Sequence, residues 1–139
     1  RGGSPNPPPS RTHIVLSRLL YVALAGALGT LARYGLAGAV QRVAGSSFPW
    51  GTAAVNVAGC FMLGVGWSLA ETRLQISSEL RTVCFAGFMG AFTTFSTYAL
   101  ETGQMLRDSE WLVAAGNVAL QNGVGIASLL VGLLLGRLV

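Results

Sequence analysis

The chain is 139 residues long, 52% of its residues are hydrophobic and only 10% are charged. Soluble domains carry about a quarter charged residues, so this composition excludes an ordinary water-facing surface and indicates one membrane-embedded domain. The formal net charge of +4 comes from scattered arginines with no basic helix or stripe, which argues against nucleic acid as a partner and suits loops beside anionic lipid.

Residues 1–13 contain four of the five prolines and the only histidine, and we expect them to form a disordered tail. Four apolar runs follow, each at least as long as the roughly 20 residues that cross a bilayer core. They extend over about 14–40, 48–69, 82–106 and 111–139. The sequence therefore predicts an all-α membrane protein whose domain, 14–139, has four transmembrane helices and lies in the cell's inner or plasma membrane.

The third run has an unusual centre. Gly87 and Gly90 precede the hydroxyl-rich segment 93–97, and glycine, serine and threonine all weaken a helix. One interpretation is a glycine kink in which threonine bonds back to the preceding turn. The other is a true break, whose freed backbone groups must find partners or line a cavity.

Small residues at a spacing of four predict close helix contacts. Gly132 and Gly136 form one such pair in the fourth run, and Ala25 and Gly29 form another in the first. The pattern indicates contact between helices, within the chain or in an oligomer.

Three polar stripes lie inside the runs, and each follows a helical spacing. Their members are Thr52 and Asn56; Thr94, Thr97 and Glu101; and Asn117, Gln121 and Ser128. Polar residues at bilayer depth either bond between helices or face a water-filled path. Three stripes in so short a chain favour a path.

The side chains also indicate which ion such a path would carry. Glu101 is the only carboxylate that can be assigned to a span, whereas amides and hydroxyls offer hydrogen-bond donors to an anion. Phe92, Phe95 and Tyr98 add ring edges, which are positively polarised. These groups suit a small, strongly hydrated anion, although composition does not distinguish fluoride from chloride.

Three motifs in chain order carry a resemblance to a known family. They are GTLARY at 29–34, GTAAVNVAG at 51–59 and GFMGAFTTFST at 87–97. Over about residues 20–137 the chain resembles the fluoride ion channel family, Fluc or CrcB. That resemblance implies passive export of fluoride from the cytoplasm through two narrow pores of an antiparallel, dual-topology homodimer with a broken third helix.

The resemblance also implies specific residues. A central structural sodium ion would be held by the backbone carbonyls of Gly90 and Thr93. The family's pore residues fall on Asn56 and Phe95, with hydroxyls of its polar track at Thr52, Thr97 and Ser128. Its second pore phenylalanine falls on Tyr98, a departure that adds a hydroxyl able to donate to fluoride or to bond a neighbour.

Arg33 has two compatible interpretations: it snorkels to the interface, or, by the resemblance, it lines a pore vestibule and attracts anions. The nine arginines divide six to three between the two sides of the membrane. Such a weak bias suits insertion in both orientations, and it also leaves a heterodimer with an oppositely oriented homologue open.

Two other functions remain as alternatives. A small proton-coupled exporter of drugs or cations would depend on Glu101, and a non-transporting scaffold would use the polar stripes only for assembly. We expect no enzyme, because no nucleophile–base pair and no metal-binding cluster can be assembled from the sequence.

Overall fold

The computed structural model describes residues 11–138, and each predicted span is helical in it. The spans extend over Arg11–Ala44, Trp50–Thr72, Ser78–Arg107 and Trp111–Leu138, and all four are long and apolar enough to cross a membrane. The first span begins at Arg11, so residues 11–13, predicted as tail, belong to a helix. The rest of the predicted tail, residues 1–10, lies outside the described residues.

The first two spans are continuous α-helices, and the last two are composite. The first and second are α1 (Arg11–Ala44) and α2 (Trp50–Thr72). The third contains α3 (Ser78–Arg81), a first π-helical segment (Thr82–Met89), α4 (Gly90–Phe92) and α5 (Phe95–Arg107). The fourth contains α6 (Trp111–Ala119), a second π-helical segment (Leu120–Val124) and α7 (Gly125–Leu138).

The turn between α1 and α2 is held by one glutamine. Gly45 ends α1 with a positive φ of 89°, a backbone conformation that favours glycine. The Gln41 amide then donates to the Phe48 carbonyl at 2.9 Å and accepts the Gly51 N–H at 2.9 Å. The side chain thus satisfies one of the free N–H groups at the start of α2.

Glycines set the distance between α2 and α7. A Cβ at Gly132 would lie 3.0 Å from the Val65 nitrogen and 3.2 Å from the Gly64 Cα, and one at Gly136 would lie 2.7 Å from the Ser68 Cβ. The predicted small-residue pair of the fourth span therefore contacts the second span of the same chain.

The pair in the first span has the same role against the third. A Cβ at Gly29 would meet the Phe88 carbonyl, and one at Gly87 would lie 3.0 Å from the Ala25 Cβ. Buried Val55, Met89 and Phe92 form the apolar core between the spans. Large apolar side chains elsewhere on the spans point outward, as a lipid-facing surface requires.

We predict that Gly132→Ala destabilises the protein by about 1–3 kcal/mol, because the new methyl overpacks the α2–α7 contact. Gly116→Ala is the matched control, since a Cβ there meets nothing within 4 Å. Both changes give the same gain in helix propensity, so thermal unfolding in detergent isolates the packing cost. Equal midpoints for the two variants would contradict the close contact.

Candidate functional site

The third span departs from helical geometry at two residues. Thr93 has ψ 158°, and Thr94 has φ −148° and ψ 104°, both extended. Thr94 then caps α5, because its hydroxyl accepts the Thr97 N–H at 3.2 Å. The first turn of α5 therefore begins within the span, where its free N–H groups form the positive end of a helix dipole.

Asn56 pairs with the backbone at this interruption. Its Oδ1 accepts the Thr94 N–H at 2.8 Å, and its Nδ2 donates to the Thr94 carbonyl at 3.1 Å. The Asn56 amide thus forms the hydrogen bonds that a peptide group would otherwise form with Thr94. Without them the Thr94 backbone would be unpaired, and an unpaired backbone group in an apolar medium costs several kcal/mol. Its second N–H donates to the Gln121 Oε1 at 2.6 Å. Both donor hydrogens of Asn56 are consequently engaged within the chain.

The hydrogen-bonded chain continues through the fourth span, and we call Asn56, Gln121, Asn117 and Thr102 the amide relay. Gln121 Nε2 donates to Asn117 Oδ1 at 2.8 Å, and Asn117 Nδ2 donates to Thr102 Oγ1 at 2.9 Å. Thr102 donates to the Tyr98 carbonyl at 2.8 Å. Asn117 is 0% and Gln121 is 8% exposed, so these bonds lie in a low-dielectric interior.

Two cavities meet at Thr94, which lines both. The larger cavity has a volume of about 860 Å³. Its polar and charged lining residues include Arg33, Arg42, Thr52, Thr97, Glu101 and Gln104. The smaller, of about 330 Å³, is lined among others by Asn56, Gly90, Thr93, Phe95, Tyr98, Gln121 and Asn122. The interruption in the third span therefore lies between a charged cavity and one rich in amides and aromatic rings.

The two rings meet edge to face. Phe95 and Tyr98 have ring centroids 5.4 Å apart and planes at 65°. Phe95 is 76% exposed, whereas Tyr98 is 9% exposed. The Tyr98 hydroxyl accepts from Asn122 Nδ2 at 2.9 Å, so its own hydrogen is not used in that bond.

Thr52 and Glu101 form a pair beside the larger cavity. The Thr52 hydroxyl donates to Glu101 Oε1 at 2.7 Å. Within residues 11–138, the Glu101 Oε2 is buried without a hydrogen-bond partner. Arg33 is half-buried and lines the same cavity.

Most of the predicted site residues line one of the two cavities. Ser128 is the exception, because it lies in α7 and lines neither. An unbroken α-helix would bring it to nearly the same face as Gln121, seven residues earlier. The second π-helical segment widens the turn between them and shifts that register.

The sequence did not indicate Thr102 or Asn122 as site residues. Thr102 bonds to the carbonyl four residues earlier, a local pattern common in any helix. The signal for Asn122 was indirect: a tyrosine hydroxyl at bilayer depth needs a polar partner.

The carbonyls predicted to hold sodium can be tested against this geometry. In a continuous helix the Thr94 N–H would donate to the Gly90 carbonyl, but here it donates to Asn56. Gly90 is an exposed residue at this point of the span. Neutral backbone oxygens suit a hard cation, and among the described residues no group of three or more His, Cys, Asp or Glu side chains offers an alternative site.

We predict that Asn56→Leu lowers the hydrogen-exchange protection of the Thr94 amide, because that N–H loses its acceptor. The loss should correspond to about 1–3 kcal/mol. Asn56→Asp is the matched control, since it keeps an acceptor for Thr94 while removing both Nδ2 donors. Amide exchange in detergent, followed by NMR, measures the effect, and equal protection in the two variants would contradict the pairing.

Comparison with known proteins identifies the family. The family model described as "CrcB-like protein, Camphor Resistance (CrcB)" matches residues 20–133. A protein of Desulforapulum autotrophicum named "Fluoride-specific ion channel FluC" is 52% identical over 122 residues, which cover 88% of this chain and 98% of that protein.

Two further relatives carry the same name. The protein from Nitrosococcus oceani is 52% identical over 88% of this chain and 98% of its own length. That from Solidesulfovibrio magneticus is 50% identical over 90% of this chain and 100% of its own length. These matches and the four apolar spans show that the chain is a multi-pass integral membrane protein belonging to the CrcB-like family.

Proposed function

We propose that this protein conducts fluoride passively and selectively across the membrane and so lowers cytoplasmic fluoride. The observation that carries the proposal is the interruption at Thr93 and Thr94, where hydrogen-bond donors lie between two cavities. Relatives about half identical to this chain are named fluoride-specific ion channels, which supports the same ion here.

Two arginines, Arg33 and Arg42, line the larger cavity together with two carboxylates, Glu101 and Glu110. The arginines supply positive charge at an entrance for an anion. The N-terminal turn of α5, with Thr94 at its cap, adds N–H groups at the junction of the two cavities. Fluoride loses strongly bound water on entering, and donors at each step replace it.

Asn56 is the next donor along this route, although both of its hydrogens are engaged in the protomer. Its bonds with Thr94 hold the backbone, whereas its bond to the Gln121 side chain can be exchanged without disturbing the interruption. Fluoride therefore binds Asn56 in place of the Gln121 oxygen. The ring edges of Phe95 and Tyr98 line the same cavity and stabilise the anion further.

The conducting unit we propose is an antiparallel homodimer. The ring of Phe95 lines the smaller cavity and yet is 76% exposed in one protomer, so a second copy would complete the wall of the path. The weak arginine bias supports insertion in both orientations. An oppositely oriented homologue could take the place of the second copy, and crosslinking of single-cysteine variants would distinguish the two assemblies.

A structural sodium ion belongs to the same proposal. The Gly90 carbonyl lost its helical partner to Asn56, and Gly90 and Thr93 line the cavity that the second copy would close. These carbonyls would hold the ion, and its positive charge would help to fix the break at the C-terminal end of α4. Carbonyl oxygens alone suit sodium better than a metal that prefers carboxylate or imidazole ligands.

We predict rapid fluoride efflux from liposomes that contain the purified protein, with chloride efflux at the level of empty liposomes. The reason is that a path built of hydroxyls, amides and ring edges replaces the water of a small anion. A fluoride electrode and a chloride electrode measure the two rates. Equal rates for both ions would end the selectivity claim, and no flux of any ion would favour the scaffold.

We predict that Phe95→Ile reduces fluoride flux about two- to tenfold, because the ring edge contributes a weak electrostatic contact that an aliphatic side chain lacks. Phe61→Ile is the matched control, since Phe61 lies on α2 and lines neither cavity. Size-exclusion chromatography in detergent must show the same assembly for both. Normal flux through Phe95→Ile would remove this ring from the path.

The proton-coupled alternative depends on Glu101, whose Oε2 has no partner among the described residues. We predict that a pH gradient across the liposome does not change initial fluoride efflux once the membrane potential is clamped. Passive conduction has no proton stoichiometry, whereas a coupled exporter would be driven by the gradient. Glu101→Gln would abolish such a gradient effect, which makes it the confirming variant if one is seen.

A further inference from the structure

Resting on the proposed function, we infer that Gln121 determines which anions pass. Its side-chain oxygen occupies the donor of Asn56 that an ion must reach, and the rest of the amide relay holds it there. An anion binds Asn56 only by displacing this oxygen, and its own hydrogen bond has to offset the cost of the displacement. Of the two halides, fluoride accepts the stronger hydrogen bond and offsets that cost more readily than chloride.

The Asn56 amide is fully engaged as a hydrogen-bond donor. It has two N–H groups, and they donate to the Thr94 carbonyl and to Gln121 Oε1. The bond to Gln121 is 2.6 Å long, shorter than the 3.1 Å bond to Thr94. Asn56 and Gln121 both line the smaller cavity, so an ion there meets a donor that is already occupied.

Backbone groups at the two ends of the relay set the direction in which its members donate. The Thr94 N–H can only donate, and the Tyr98 carbonyl can only accept. Every amide between them donates in the same direction, toward Tyr98. A reversed Gln121 would put its NH2 group against that of Asn56 and its oxygen against that of Asn117. The relay therefore keeps the Gln121 oxygen, and not its NH2 group, facing Asn56.

Releasing Gln121 from the relay costs free energy. Asn117 is 0% exposed and Gln121 is 8% exposed, so the released groups reach solvent only through the smaller cavity, which Gln121 lines. A buried acceptor left unpaired carries its full desolvation cost. This cost is the same for every displacing anion and therefore favours fluoride only through the rate: displacement at Asn56 limits the passage of chloride, the weaker acceptor, whereas another step limits fluoride.

Thr102 gives the sharpest test, because it ends the relay and lines neither cavity. Thr102→Val replaces the hydroxyl with a methyl of similar volume and releases Asn117 and Gln121. Thr102→Ser keeps the hydroxyl and is the matched control. Gln121→Met removes the competing oxygen directly.

The measurement is the ratio of fluoride to chloride efflux from liposomes that contain the full chain. We expect Thr102→Val and Gln121→Met to lower the ratio by about fivefold, the factor given by one hydrogen bond of typical net strength. The fall should come from increased chloride flux, and Thr102→Ser should keep the original ratio. A merely structural role would reduce both fluxes together, and that result would overturn the inference.

The outcomes also separate this inference from the proposal on which it rests. No selective fluoride flux in the unmodified protein would overturn the proposed function itself. Selective flux in the unmodified protein with an unchanged ratio in Thr102→Val would overturn only the role of Gln121. If Gln121→Met fails to fold, the comparison of the valine and serine variants at 102 still decides the matter.

Discussion

The pairing of the Asn56 amide with the N–H and carbonyl of Thr94 is the interaction on which the site depends. A helix cannot open inside a bilayer unless its backbone groups find partners, and here one side chain from α2 supplies both. Because Asn56 accepts the Thr94 N–H, that N–H does not continue the helical ladder to the Gly90 carbonyl, and α5 begins anew within the span. Donors and acceptors thus appear on opposite sides of a two-residue gap.

The close approach that this pairing needs comes from a glycine one turn along α2. A Cβ at Gly59 would collide with the Thr93 methyl and lie 3.3 Å from the Phe92 ring. A larger residue there would force the Thr93 side chain or α2 itself to shift, and either shift would disturb the contact of Asn56 with Thr94. The glycine and the asparagine of the motif at 51–59 therefore act together, since one permits the contact and the other forms it.

The sequence was sufficient to predict four spans, because apolar length is a local property. Helical spacing also picked out most of the residues that line the cavities, whereas the glycines and hydroxyls of the third span left open whether it kinks or breaks. The sequence was insufficient to predict the hydrogen-bond partners of the residues that line the cavities. Which amide meets which depends on the rotation of each helix about its axis, and π-helical segments alter that rotation. Ser128 shows the consequence: its spacing from Gln121 predicts a shared face, but the intervening wide turn separates them. The engaged donors of Asn56 could not be predicted for the same reason.

Tyr98 stands where the resemblance predicts a phenylalanine, and the chain itself accommodates the added hydroxyl. A hydroxyl added to a buried ring at bilayer depth would be costly without a partner. Asn122 supplies one at 2.9 Å, and it lies in the second π-helical segment directly after Gln121. In the sequence these amides are adjacent, and neighbouring residues of an α-helix point about 100° apart. Both nevertheless line the smaller cavity, so one segment of the fourth span serves both the hydroxyl of Tyr98 and the donor of Asn56.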